Sequence, residues 1–212
     1  MNTRRLCLYL AGQVGLMMMV RFLLQWIIRF STSTSIDGGG STAVALFSAS
    51  TMGAVMLGFR IFDGLTDPIS GAISDGWVKR GKQRRHLLWY SFALPAIGLL
   101  LCFAPTHDMS NVQRWSLVTS GLFVFFVGYT LYCIPYWSLI LDYGQGDDKV
   151  QRTLSNLLGV GVLVATAIGF VATPILVGEL GYFPAALLVA MIGTVLMVFP
   201  IYAYPKLSLI HI

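Results

Sequence analysis

The chain has 212 residues, of which 56% are hydrophobic and 11% charged, with a formal net charge of +5. A soluble domain carries roughly 25% charged residues, so this chain lacks the polar surface of a water-soluble globule. Its charges sit in short gaps between long apolar runs, the pattern of membrane-loop charge and not of a nucleic-acid-binding surface. Cys7, Cys102 and Cys133 lie singly inside apolar segments, without disulfide or metal spacing.

Taken in chain order, Arg4 and Arg5 precede an apolar run that reaches about Phe30. That run is too long for a signal peptide core and no small-residue cleavage site follows, so it reads as a first membrane helix. Six segments are long enough to cross roughly 30 Å of hydrocarbon at about 1.5 Å per residue. They fall near 6–30, 43–74, 87–105, 114–141, 153–178 and 182–204. Breakers separate them: "STSTSIDGGGST" at 31–42, "APTHDMSN" at 104–111, "YGQGDD" at 143–148 and "GELGYFP" at 178–184. The expected fold is therefore an all-α membrane protein of six transmembrane helices, with helices five and six as antiparallel neighbours. One end holds Arg4, Arg5, Lys79, Arg80, Lys82, Arg84, Arg85, Lys149, Arg152 and Lys206; the other holds Arg114 and Arg29. Positive charge marks the cytoplasmic side, which places both termini there, in a multi-pass protein of the plasma (inner) membrane.

The second segment breaks the apolar rule. In "GFRIFDGLTDPISGAISDGWVKRGKQRR", residues 58–85, Arg60, Asp63 and Asp67 are three and four residues apart, which puts them on one helix face. Unpaired at mid-bilayer, three such charges cost roughly 8–10 kcal/mol, so they must face protein or water. One arginine leaves one carboxylate unmatched, and an intramembrane carboxylate pair is a candidate site for Na+ or a proton. Pro68 follows directly; it kinks the helix and frees a carbonyl, which suits a cation.

Helix one carries Arg21, Gln25 and Arg29 on one stripe, with Arg21 deep enough to pair with the helix-two carboxylates and Arg29 snorkelling outward. Helix four gathers Tyr129, Tyr132, Tyr136 and Trp137 around Pro135; such rings stack on sugars and also populate membrane interfaces. In helix five, Gly159, Gly161 and Gly169 read as close-packing positions. Enzyme chemistry finds no support. His86, His107 and His211 are scattered, and "GWVKRGKQ" at 76–83 has Gln83 where a phosphate-binding loop needs Ser or Thr and lacks a preceding strand.

The motif "RIFDGLTDPISGAISDGWVKRGKQRR" resembles helix two of the glycoside–pentoside–hexuronide:cation symporters, the melibiose-permease group of the major facilitator superfamily. "IPYWSLILD" at 134–142 is similar to that group's helix-four motif. The resemblance implies a coupling-cation site (Na+ or H+) at Asp63 and Asp67. It also implies a substrate site at Trp137, with Tyr136, Tyr132 and Arg21 beside it. Asp75, Arg84, Arg85 and Arg60 then form the gating set. Asp75 has its own reason to seek cations, because a carboxylate near a helix C-terminus opposes the helix dipole. The sequence departs from the melibiose-permease branch at Cys133, which stands where that branch has Asp. It also departs in a helix one without a carboxylate and in the uncharged run 153–178. Cation coupling is thus implied more firmly than sugar of the melibiose kind.

The expected function is cation-coupled symport of a sugar or glycoside by alternating access. A lysolipid or other organic-solute symporter, or a non-transporting membrane scaffold, is the alternative. Partners are a small-molecule substrate and membrane lipid. The family has twelve helices, so residues 1–205 are expected to form the N-terminal six-helix half of a fragment, 206–212 a non-native or truncated tail. The other half, or a second copy, completes the fold.

Overall fold

A computed structural model describes residues 3–32, 45–144 and 146–203, which form helices and turns with no strand among them. The helices are α1 (Thr3–Thr32), α2 (Ala49–Lys79), α3 (Arg85–Ser91), α4 (Leu94–Phe103), α5 (Asn111–Gly144), α6 (Asp148–Leu180) and α7 (Tyr182–Ala203). The tail 206–212 and most of the 31–42 connection lie outside the described residues.

Most helices outrun the apolar segments that announce them, because polar ends continue the hydrogen-bond ladder and supply caps. Ser48 Oγ accepts the Thr51 amide at 3.1 Å at the start of α2. Asp147 accepts the Lys149 amide at 2.9 Å at the start of α6. Helix α2 starts later than expected and runs on through Asp75 to Lys79. The third segment is not one helix: Pro95 follows the break at Phe92–Ala93 and opens α4 at its first turn. A proline there cannot donate to the preceding turn and disfavours helical backbone just before it. Together the two pieces still make a 19-residue apolar stretch, Arg85–Phe103. Gly181 alone joins α6 to α7 at φ +86°, a conformation that favours glycine.

Among the described residues, five stretches are long and apolar enough to cross a membrane, including Arg85–Phe103 but not α2. Helix α2 is long enough at 31 residues; its charges take it out of the set. Helix α1 packs along α7 and α6, α4 along α5, and α2 lies mainly on α5. Two crossings are backbone to backbone. A Cβ on Gly15 would meet the Gly193 carbonyl at 2.5 Å, and one on Gly98 would meet the Phe125 amide nitrogen at 2.3 Å. Of the three α6 glycines expected to pack closely, Gly161 faces Gln13 and Gly169 faces Arg21, while Gly159 has open space.

Helix α2 sorts its faces cleanly. Met52, Met56, Asp63, Ser70 and Ser74 are buried, whereas Leu57, Ile61, Leu65, Ile69 and Ile73, each four apart, are 44–67% exposed. Helix α6 likewise exposes Leu163, Phe170, Val171 and Ile175.

Gly98→Ala is expected to destabilise the chain by about 1–3 kcal/mol, because backbone must move to admit the methyl group. Gly159→Ala meets nothing and gains helix propensity, so its melting temperature in detergent should equal or exceed that of the parent chain. Equal melting temperatures for the two variants would contradict this assignment of the α4–α5 crossing.

Candidate functional site: a carboxylate pair and an arginine clasp

The carboxylate site is built where α2 crosses α5. Asp63 is 8% exposed, and its Oδ1 accepts a hydrogen bond from Thr130 Oγ1 of α5 at 2.9 Å. Its Oδ2 lies 3.5 Å from the Arg60 guanidinium, whose other face stands over the Phe126 ring, 5.7 Å from its centre. Thr66 Oγ1 donates to the Asp63 carbonyl at 2.9 Å and lies 3.5 Å from Thr130 Oγ1. One turn on, Ser70 Oγ donates to the Thr130 carbonyl at 3.0 Å. Thr130 thus ties three α2 positions to one α5 residue.

Asp67 sits one turn from Asp63, partly exposed, and enters no salt bridge among the described residues. Pro68 has no amide hydrogen, so the Gly64 carbonyl loses its helical donor. Around Asp63 gather the Thr130 and Thr66 hydroxyls and the Arg60 guanidinium, with Asp67 and the released Gly64 carbonyl within one turn along α2. Hard cations such as Na+ prefer oxygen ligands, and a carboxylate equally accepts a proton.

The second constellation closes one end of the α2–α5 pair. Arg84, at the start of α3, is 8% exposed. Its guanidinium donates to Ser74 at 3.1 Å, Asp75 at 3.0 Å and Asp142 at 2.5 Å. One arginine therefore ties the end of α2 to the end of α5. The expected Asp75–Arg84 pairing is present. Asp142 closes the clasp from α5, and Arg85 stands beside it, partly buried in the first turn of α3.

The residues expected at a substrate site separate. Trp137 is 37% exposed, and its Nε1 donates to Gln13 Oε1 of α1 at 3.1 Å. Gln13 fits because α6 presents Gly161, where a Cβ would lie 2.6 Å from Gln13 Cγ. Tyr132 and Tyr136 are fully buried. Their hydroxyls donate to the carbonyls of Met197 and Tyr9, and their rings stack 5.6 Å apart, with Tyr9 4.8 Å from Tyr136. They hold α5 to α7 and α1 and present no open face. Arg21 forms no ion pair among the described residues; its Cβ lies against Gly169 of α6, 3.4 Å from where a Cβ there would be. That places it toward α6 and away from the expected pairing with α2. Arg29 is exposed, over the Trp26 ring at 5.5 Å.

Thr130, Ser70, Gln13 and Ser91 were not marked by the sequence, because lone polar residues in apolar helices are ordinary. Asp75 and Arg84 of the clasp were marked by the sequence, whereas Asp142 was visible only as the last residue of the quoted "IPYWSLILD" motif. Ser91 reaches the Leu131 carbonyl at 3.4 Å, the carbonyl that Pro135, four residues on, leaves without its helical donor.

Residues 8–205 match the family model described as MFS/sugar transport protein. The chain belongs to this family of the major facilitator superfamily. That agrees with the resemblance carried by the α2 and α5 motifs, and it makes the chain a multi-pass membrane protein of a transporter family, not an enzyme. Over 140 residues it is 31% identical to the uncharacterized symporter YjmB of Bacillus subtilis (strain 168), covering 64% of this chain and 30% of that protein. Over 167 residues it is 28% identical to the putative glycoside/cation symporter YagG of Escherichia coli (strain K12), covering 74% of this chain and 35% of that protein. The chain therefore spans about a third of the length of the curated relatives it matches. No solved structure matches.

The clasp makes an asymmetric prediction. The Asp142 side chain is 14% exposed and that of Asp75 64%. Asp142→Ala leaves the buried guanidinium with only the exposed Asp75 as counter-charge and is expected to cost about 3 kcal/mol, while Asp75→Ala costs under about 1 kcal/mol. Thermal denaturation in detergent should rank them in that order; an equal loss would remove Asp142 as the principal anchor.

Proposed function

We propose that this chain forms the N-terminal six-helix half, residues 1–205, of a cation-coupled symporter that moves a sugar or glycoside by alternating access. The observation that carries the reading is Asp63, a carboxylate turned into the α2–α5 contact, hydrogen-bonded by Thr130 and followed one turn later by Asp67, which enters no salt bridge among the described residues. Membership in a sugar-transport family and the symporter names of the relatives support it.

Helix α2 is then the sixth span. Its charges lie toward α5 or along the margin of that contact, and its opposite face is a bulky apolar stripe, so lipid meets Leu57, Ile61, Leu65, Ile69 and Ile73. The coupling ion, Na+ or H+, engages Asp63 and Asp67 with Thr130 and Thr66 supplying further oxygens. The half-exposed ring of Trp137, oriented by Gln13, offers the stacking surface for a sugar ring. The Arg84 clasp, with Asp75, Asp142 and Arg85, closes the end that carries the basic turn, which faces the cytoplasm together with both termini.

Alternating access requires charge that is satisfied differently in different states. Cation binding at Asp63 and Asp67 competes with the Arg60 and Thr130 contacts, and each of these lies on α2 or α5. The substrate cavity is completed by a second six-helix unit, either further chain or a second copy. The chain's coverage of 30% and 35% of its relatives supports this.

Purified chain should melt at a higher temperature in Na+ than in choline, or show a pH-dependent equivalent if the ion is H+. Asp63→Asn and Asp67→Asn should each abolish that shift without preventing membrane insertion. Thr130→Val should weaken the apparent cation affinity about tenfold, the loss of one hydrogen-bonding ligand to a charged site. In the complete transporter, uptake that stays cation-dependent in both Asp variants would sink the site assignment and raise the scaffold reading in its place.

A further inference from the structure

The turn between α2 and α3 carries more positive charge than its clasp uses. Arg84 is consumed by Asp75 and Asp142. Lys79, Arg80 and Lys82 are exposed and enter no salt bridge among the described residues. They are held close together by a tight turn: Gly81, at φ +73°, donates to the Val78 carbonyl at 2.9 Å, and the Lys82 amide donates to the Trp77 carbonyl at 3.2 Å.

An aromatic wall stands against these cations. The Lys82 ammonium rests over the Trp77 ring, 4.3 Å from its centre, and the Trp77 ring meets Tyr90 edge-on at 6.4 Å. Tyr90 is 71% exposed and Trp89 48%. Exposed Trp and Tyr beside a basic turn mark the level at which a helix passes from hydrocarbon to headgroup. Two buried polar atoms here lack hydrogen-bond partners among the described residues: the Trp77 Nε1–H, a donor, and Gln83 Oε1, an acceptor. A buried polar group without a partner is uncommon and calls for a ligand or water.

We propose that the α2–α3 turn binds the headgroup of an anionic phospholipid of the phosphatidylglycerol type. Lys79, Arg80 and Lys82 surround the phosphate. Lys82, long and exposed, swings from the Trp77 ring, and the indole N–H donates to a phosphate oxygen. The Gln83 side-chain carbonyl accepts from a headgroup hydroxyl, and Trp89 and Tyr90 lie beside the glycerol backbone and upper acyl chain. A zwitterionic headgroup fits less well, since its ammonium enters a site that already holds three cations. The site is separate from the carboxylate pair and stands whether or not that pair couples a cation.

The test titrates the purified full chain in mild detergent with short-chain phosphatidylglycerol or phosphatidylcholine, reading thermal stability and tryptophan fluorescence. Phosphatidylglycerol should act at a concentration at least tenfold below phosphatidylcholine. Each removed cation should cost about fivefold at an anionic lipid surface. Lys82→Gln, at an exposed position where folding is not at risk, is therefore expected to raise the half-point about fivefold, and the combined K79Q/R80Q/K82Q chain about a hundredfold. Trp77→Phe keeps the ring and removes the donor, and should raise the half-point about threefold. An unchanged response of the triple variant would overturn the proposal. So would equal action of the two lipids. Inorganic phosphate or glycerol phosphate reproducing the stabilisation at matched concentration would also overturn it, by showing a plain anion site.

Discussion

A carboxylate inside an apolar layer is tolerated only where another group solvates it, and helix α5 supplies that group for Asp63. The Thr130 hydroxyl reaches Asp63, while the Thr130 carbonyl receives Ser70 one turn away. Helix α5 thus covers the Asp63 side of α2, while Arg60 is exposed and Asp67 partly so. The rest of α2 follows from this: with one face committed to α5, the opposite face is left to Leu57, Ile61, Leu65, Ile69 and Ile73.

Helix α5 acts as the common strut. At one level it holds Asp63 through Thr130. At its end it holds Arg84 through Asp142, and Arg84 in turn holds Ser74 and Asp75 of α2. Between those two ties lies Pro135, whose missing amide hydrogen leaves the Leu131 carbonyl without its helical donor, with Ser91 Oγ of α3 nearby at 3.4 Å. The Ser91 hydroxyl itself donates first to the Leu87 carbonyl of its own helix, at 2.8 Å, and stands 3.4 Å from the Leu131 carbonyl. The α2 and α5 helices are joined on either side of their prolines, through Thr130 on one side and through Arg84 on the other.

The other side of α5 is bound by aromatic rings. Tyr9, Tyr132 and Tyr136 stack in sequence, and two of their hydroxyls seek backbone carbonyls of α1 and α7. In a membrane protein such contacts replace the hydrophobic effect as the force between helices, since lipid is as apolar as the interior. Glycines do the same by close approach at the α1–α7 and α4–α5 crossings. Of the helix-α5 rings, Trp137 is exposed and Tyr129 partly so, whereas Tyr132 and Tyr136 are buried.

Local sequence determined the all-helical, membrane-embedded character of the chain, its family, and the presence of charge within helix two. These depend on apolar run length, on three- and four-residue spacing, and on a contiguous motif, all of which a single strand of sequence displays. Helix ends and the break before Pro95 were only partly legible, because polar caps extend a helix beyond its apolar run. Tertiary structure decided which of the marked residues meet. It put Asp63 with Thr130 and Arg84 with Asp142, gave Gln13 to Trp137, drew Tyr132 and Tyr136 into the interior and turned Arg21 toward α6. The reason is geometric: a helix fixes which of its own residues share a face, but the partner of that face lies 58 to 124 residues away in these contacts and is set by how the helices pack.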